Sequence, residues 1–252
     1  MKLQTFSVTF SYGKKLVIRG CDLIFEPGKL TVIIGPNGCG KSTLINLLGG
    51  FLTPDSGTVL LDGKNLDSFS HIERACRIGV LTQEKKPALG FSAAERIMMG
   101  RFAYLPRLGG PGAEDQAEVQ EAVRSVGVEN LLHRPCNQLS GGEYQKVLIA
   151  ALLARKTQVM LLDEPTAALD PAGALHIMRL MAAKKDHCAV GIVTHDLALA
   201  AQFADRLVLM RSGSVYASGT PSEVLTRENI RSVYGCDSEV IGSSSGPVVI
   251  FR

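Results

Sequence analysis

The sequence contains six cysteines (Cys21, Cys39, Cys76, Cys136, Cys188 and Cys236) but no CxxC pair, and none stands beside a histidine at a zinc spacing. They read as reduced thiols of a cytosolic chain, mostly core fillers. No apolar run approaches the roughly 18 residues of a membrane-spanning helix. The longest, "VLIAALLA" and "LTVIIG", are under half that, so any work at a membrane must pass through another subunit. The opening "MKLQTFSVTF" alternates polar and apolar residues and lacks the apolar block of a signal peptide. The 27 Lys and Arg are scattered, and the net charge is only +3, so no basic stripe marks a nucleic-acid partner. Internal repeats and low-complexity tracts are also missing.

What remains is a 252-residue chain, long enough for one large α/β domain or two small ones, with 46% hydrophobic residues, ample for a buried core. Phe6, Val8, Phe10 and Tyr12 alternate with Ser7, Thr9, Ser11 and Gly13, the period of a half-buried strand. "LVIRGCDLIF" predicts a second strand, and "EPG" at 26–28 a turn. This opening reads as antiparallel sheet. From Leu30 the pattern changes. "LTVIIG", "VMLLD" (159–163) and "AVGIVT" (189–194) are apolar nearly throughout, as expected of parallel strands covered on both faces. Each precedes helix-like sequence, giving the alternation of a doubly wound core. "RLVLM" and "SVYASG", separated by Ser212-Gly213, suggest a closing hairpin.

Between Gln83 and Arg155 the pattern is helical, an insertion into the α/β core. Ser92 to Glu95 is a capping-box signature, with Gly100 as the expected stop of that helix. Val119, Ala122, Val123 and Val126 place one apolar stripe on a second helix, after the loop "YLPRLGGPGAED". The tail from Thr226 is polar and ends in two expected short strands about a Ser/Gly turn.

Gly35-Pro36-Asn37-Gly38-Cys39-Gly40-Lys41-Ser42 fits the phosphate-loop pattern GxxxxGK[ST] in full, and Thr43 continues it into helix-like sequence after a buried strand. The glycines let backbone N–H groups turn inward on a phosphate, Lys41 pairs with β/γ oxygens, and Ser42 ligates Mg²⁺. Asp163 and Glu164 end the strand "VMLL" and should emerge at the sheet edge where phosphates sit. Asp163 would hold Mg²⁺ through water, and Glu164 would polarise the attacking water. A small-molecule kinase built on a phosphate loop could share both features.

A second glycine-rich stretch, "LSGGE" at 139–143, decides between them. It precedes "LLDEP" by about twenty residues, with Gln83 upstream after a strand and "AALD" (167–170) and His195 downstream. The order resembles the ATP-binding cassette (ABC) ATPase subunit of a transporter, over essentially the whole chain. That resemblance implies a P-loop NTPase fold with an N-terminal antiparallel β subdomain and a helical insertion. Residues 1–83 and 156–225 would form the ATP-binding core, 84–155 the helical signature subdomain and 226–252 a C-terminal tail. It further implies an ATP- and Mg²⁺-dependent homodimer, in which Ser140, Gly141 and Gly142 contact the γ-phosphate held by the other copy. Gln83 would reach Mg²⁺ or water, and His195 the γ-phosphate. Asp170 would lie along the dimer seam, or serve only as a helix cap before Pro171. Tyr12 would stack on adenine, or simply extend the stripe of Phe6, Val8 and Phe10. Cys39, Lys146 and Ala151 depart from the commoner residues of the family; the loop needs only the backbone N–H of Cys39.

"MMGRFAYLPRLG" and "THDLALAAQFADRLVLMRSGSVYASGTPSEVLT" are similar to cassettes of importers for iron-siderophore complexes, haem and cobalamin, with zinc or manganese importers as neighbours. The partners implied are two transmembrane permease subunits meeting the helical subdomain near Gln83 and, indirectly, a periplasmic or lipoprotein binding protein. The chain would then sit peripherally at the cytoplasmic face of the membrane. A soluble ABC ATPase would carry long coiled-coil arms or two cassettes, which this sequence lacks.

Overall fold

A computed structural model describes residues 1–82, 90–106, 109–243 and 246–252. The elements run β1 (Leu3–Tyr12), β2 (Lys15–Phe25), β3 (Leu30–Ile34), α1 (Lys41–Leu48), β4 (Ser56–Leu61), β5 (Lys64–Asn65), α2 (His71–Arg77), β6 (Ile78–Leu81) and α3 (Ala93–Met98). Then follow α4 (Ala113–Val126), α5 (Gly141–Ala154), β7 (Val159–Asp163), α6 (Pro171–Lys184), β8 (Ala189–Val193) and α7 (Leu197–Phe203). β9 (Arg206–Arg211), β10 (Ser214–Gly219), α8 (Pro221–Val224), α9 (Arg227–Tyr234), β11 (Ser238–Ser243) and β12 (Gly246–Phe251) complete the chain.

The central sheet has the order β10-β9-β3-β8-β7-β6, parallel except for β10. β3, β7 and β8 are buried at every position because both faces are covered. Ile33, Leu161, Val193 and Val208 join one apolar cluster with α1 and the antiparallel sheet. Val32, Leu162, Ile192 and Leu209 join another with the helices of the opposite face. Each such side chain contributes about 1.5–3 kcal/mol by leaving water. The antiparallel sheet, β2-β1-β4-β5, and the expected β9–β10 hairpin are both present.

The alternation in β1 breaks once. Ser7 adopts φ +46°, and the register with β2 and β4 shifts around it. Leu3 and Thr5 therefore face inward before this bulge, Val8 and Phe10 after it, and Phe6 is 48% exposed. The expectation that Phe6 shares a buried stripe is overturned, since an extra residue in one strand flips the faces that follow. Gly57 opposite allows the approach, because a Cβ there would stand 2.4 Å from the Phe6 and Ser7 carbonyl oxygens.

The helical region forms as patterned. Ser92 Oγ accepts from the Glu95 N–H, the Glu95 carboxylate accepts from the Ser92 N–H, and Val119, Ala122, Val123 and Val126 are buried. Gly100, however, does not stop α3. The chain continues as a 3-10 turn, Met99–Tyr104, and a Cβ on Gly100 would lie 2.2 Å from the Ala151 carbonyl oxygen. This glycine permits close packing of the turn on α5. Arg101, 5% exposed, bonds Asp115 at 2.8 Å and the Ala154 carbonyl at 3.0 Å while its guanidinium lies over the Tyr104 ring. The polar stretch after Thr226 also holds a helix: α9 buries Ile230 and Val233 beneath an otherwise charged surface, before the expected β11–β12 hairpin.

Candidate functional site

The phosphate loop leaves β3 at its C-terminal edge, where Gly35, Gly38 and Gly40 have φ of +150°, +76° and +105°. A Cβ on Gly35 would stand 2.5 Å from the Met210 carbonyl oxygen, and one on Gly40 2.8 Å from Ile18 Cδ1. Both positions exclude a larger residue. Lys41 is buried and lies along the loop, its Nζ donating to the carbonyls of Gly35 at 2.7 Å and Pro36 at 3.0 Å. Burial pushes the Cys39 thiol up despite the nearby Lys41 ammonium, so it stays a thiol. The Ser212-Gly213 hairpin tip braces this loop: the Gly213 N–H bonds the Cys39 carbonyl at 2.9 Å, and a Gly213 Cβ would meet the Val17 carbonyl oxygen at 2.1 Å. The sequence marked that pair only as a turn.

Asp163 ends β7 opposite Ser42 and is 4% exposed. Burial raises its carboxyl above the ordinary range, against the opposing Ser42 hydrogen bond and Lys41 charge. Its Oδ1 is buried with no hydrogen-bond partner among the described residues. An orphaned carboxylate oxygen beside a serine hydroxyl is an all-oxygen donor set suited to a hard divalent cation such as Mg²⁺. Glu164 follows with φ +52°, a conformation that costs about 1–3 kcal/mol in a non-glycine residue and turns the chain out of the sheet. Its backbone N–H bonds the Val193 carbonyl at 2.9 Å, and its Oε2 accepts from His195 Nδ1 at 2.6 Å. β7 and β8 thus bring the two residues together from 31 positions apart in the chain. Tyr12, half exposed and edge-on to Phe10 at 4.9 Å, lines the same groove of about 510 Å³ as Asn37, Lys41, Ser42, Thr43, Asp163 and Glu164. Gln83 lies outside the described residues.

"LSGGE" forms the N-terminus of α5. Ser140 Oγ accepts from the Glu143 N–H at 3.2 Å, and Glu143 Oε2 accepts from the Ser140 N–H at 2.7 Å. Arg134 donates to the other Glu143 oxygen at 2.7 Å and to the Gln138 carbonyl at 3.1 Å. The capping bonds, with the Arg134 pair, hold the Glu143 carboxyl below its usual range. Glu143 is therefore the reciprocal cap that shapes this turn, a role its spacing to Ser140 encodes. A Cβ on Gly142 would come within 2.8 Å of the Ala168 carbonyl oxygen, so the "AALD" stretch packs directly on the loop. Asp170 caps α6, accepting from the Gly173 N–H at 3.0 Å. Ser140, Gly141, Gly142 and Asp170 line an open groove of about 440 Å³ that shares no lining residue with the phosphate-loop groove. One chain thus displays two separate grooves.

The family described as "ABC transporter" matches residues 4–167. The ferric enterobactin transport ATP-binding protein FepC of Escherichia coli is 35% identical over 242 residues, covering 95% of this chain and 89% of the relative. The hemin import ATP-binding protein HmuV of Rhodococcus jostii is 39% identical over 242 residues, covering 95% and 82%. Among solved structures, a dimeric ATP-binding cassette in a post-hydrolysis state with ADP and phosphate superposes with TM-score 0.78 at 28% identity, over 87% of this chain and 98% of that one. An inward-facing metal-chelate type transporter reaches TM-score 0.82 over 99% and 96%, and its 24% identity shows the fold alone.

Proposed function

The chain belongs to the ABC transporter family, as an ATP-binding ATPase cassette, and from that premise we propose that it powers an importer of iron-siderophore, haem or cobalamin-type complexes. Cassettes of such importers work as dimers with membrane permease partners. The relatives named for ferric enterobactin and hemin transport support the cargo class. The observation that carries the mechanism is the separation of the two grooves. "GPNGCGKST" and "LSGGE" open on different parts of one chain, so a nucleotide touching both needs a second copy.

In this reading two chains close around two ATP molecules, each between the phosphate loop of one copy and Ser140, Gly141 and Gly142 of the other. Tyr12 stacks on the base. Lys41 leaves the Gly35 and Pro36 carbonyls for the phosphate oxygens, a charge-assisted exchange. Ser42, Asp163 and Gln83 would hold Mg²⁺, which when bound would offset negative charge on the phosphates. Glu164 orients and deprotonates the attacking water while His195, through its Nδ1 bond, keeps the carboxylate in place and meets the γ-phosphate. Asp170 lies on the seam beside Ser140. Closure is driven by the greater affinity of the closed dimer for ATP, and hydrolysis reverses it.

We assign residues 1–83 and 156–225 to the nucleotide-binding core, 84–155 to the subdomain that answers the permease, and 226–252 to a tail that packs back on the core. The permease contact is the groove of about 750 Å³ lined by Ile72, Val80, Met99, Phe102 and Leu148, with Arg155 at its wall. Among the described residues no helix is long and apolar enough to cross a membrane, and the permease supplies the anchorage at the cytoplasmic face. Glu164→Gln tests the mechanism. It should retain ATP, lose turnover and accumulate as an ATP-bound dimer in light scattering; a variant that stays monomeric with ATP, Mg²⁺ and its permease subunits would refute the shared site. Deleting the gene and supplying iron only as a siderophore complex or as haem identifies the cargo.

A further inference from the structure

The groove assigned to the permease has a lip that is fastened from two sides. It is the 3-10 turn Met99–Tyr104, which presents Met99 and Phe102 to the groove, with Phe102 77% exposed. On one side the buried Arg101 ties this turn to α4 and α5, through Asp115 at 2.8 Å and the Ala154 carbonyl at 3.0 Å. On the other, the Tyr104 hydroxyl donates to the Cys76 carbonyl at 2.9 Å, and the Cys76 thiol donates to the Ala103 carbonyl at 3.5 Å. Arg155, just past the end of α5, donates to the Ala75 carbonyl at 2.8 Å and the Ile78 carbonyl at 3.3 Å. The Arg101 guanidinium lies 4.1 Å from the centre of the Tyr104 ring, so the two fastenings meet at that ring.

The last carbonyls of a helix such as α2 have no partner within the helix. A hydroxyl or cationic donor satisfies them, and a cation there also complements the helix dipole. Here the donors come from the 84–155 subdomain and the acceptors from the nucleotide-binding core. α2 runs without a break into β6, which pairs with β7 as far as Leu81 and Leu162; the next residue of β7 is Asp163. A continuous chain of hydrogen-bonded elements therefore joins the groove lip to a carboxylate of the nucleotide groove.

We propose that Tyr104 is a positioning residue that couples permease engagement to nucleotide binding, by tying the groove lip to the C-terminal end of α2. The proposal rests on the reading of that groove as the permease contact. Tyr104 itself lines neither groove. A coupling free energy of this kind acts equally in both directions.

The test is Tyr104→Phe in the full chain, alone and assembled with its permease subunits. The change keeps the ring beneath Arg101 and removes only the hydroxyl. The probe is a non-hydrolysable ATP analogue with Mg²⁺, its affinity measured for both forms. Affinity of the isolated chain should hold. The factor by which assembly alters that affinity should shrink by about fivefold, the worth of one neutral hydrogen bond. A merely structural role would weaken both forms alike and preserve their ratio, and a preserved ratio overturns the proposal. Phe102→Asp, run in parallel, should block assembly. If it assembles as wild type does, the groove reading fails and the proposal with it; if it blocks assembly while Tyr104→Phe preserves the ratio, only the role of Tyr104 fails.

Discussion

Asp163→Asn separates the cost of a cation site from its use. The wild-type carboxylate is 4% exposed, with Oδ1 unpartnered. Leaving a buried acceptor unsatisfied costs about 1–3 kcal/mol, more if it is charged. Asparagine keeps the shape and removes the charge, so about 1–2 kcal/mol should be recovered, lifting Tm by roughly 2–8 °C for a chain of this size. The pH dependence follows from the raised carboxyl. As pH rises, the unfolded chain ionises first, near the ordinary value of 3.8. The folded state is then penalised increasingly until its own, higher value is passed, and the penalty stays constant above that. Calorimetry without nucleotide should show the variant more stable than wild type at pH 8, with the gap closing as pH falls towards 4. The same variant should lose the Mg²⁺-dependent part of its ATP affinity. A lower Tm than wild type at pH 8, or an equal gain at pH 4, would refute the reasoning.

Two further substitutions probe packing and the shared site. Gly100→Ala forces a methyl against the Ala151 carbonyl, which is backbone and cannot swing away; overpacking of this kind costs about 1–3 kcal/mol and should appear as a fall in Tm with ATP affinity retained. Ser140→Ala removes a helix cap worth about 1 kcal/mol. It should leave ATP affinity of the isolated chain unchanged, because its groove is separate, yet slow turnover of the assembled dimer by about tenfold or more. Equal loss in both assays would count against the division of the site between copies.

The alternation of covered strands and helices, the Ser92–Glu95 capping box and the apolar stripe of α4 depend on residues close in sequence, and they were legible there. So were the phosphate loop and the strand-end carboxylates, whose chemistry is carried by spacing along one stretch of chain. Features set by distant backbone were not legible. The bulge at Ser7 turns Phe6 outward, although local alternation points it in. Gly100 looks like a helix stop because the Ala151 carbonyl that demands it is 51 positions away. The helix α9 hides in a charged stretch, since its inward side is made by Ile230, Val233 and Tyr234 amid Arg227, Glu228 and Arg231.

By itself the sequence determined the inventory of local patterns: a phosphate-loop motif, two carboxylates at a strand end and a second glycine turn. Each is a local pattern, and local backbone geometry follows from nearby residues. Only the tertiary structure decided which pieces share a groove. The parallel order of β7 and β8 joins Glu164 to His195, while "LSGGE" and "AALD" meet one another away from the phosphate loop. Strand order sets those distances, and strand order depends on which apolar faces can be covered together.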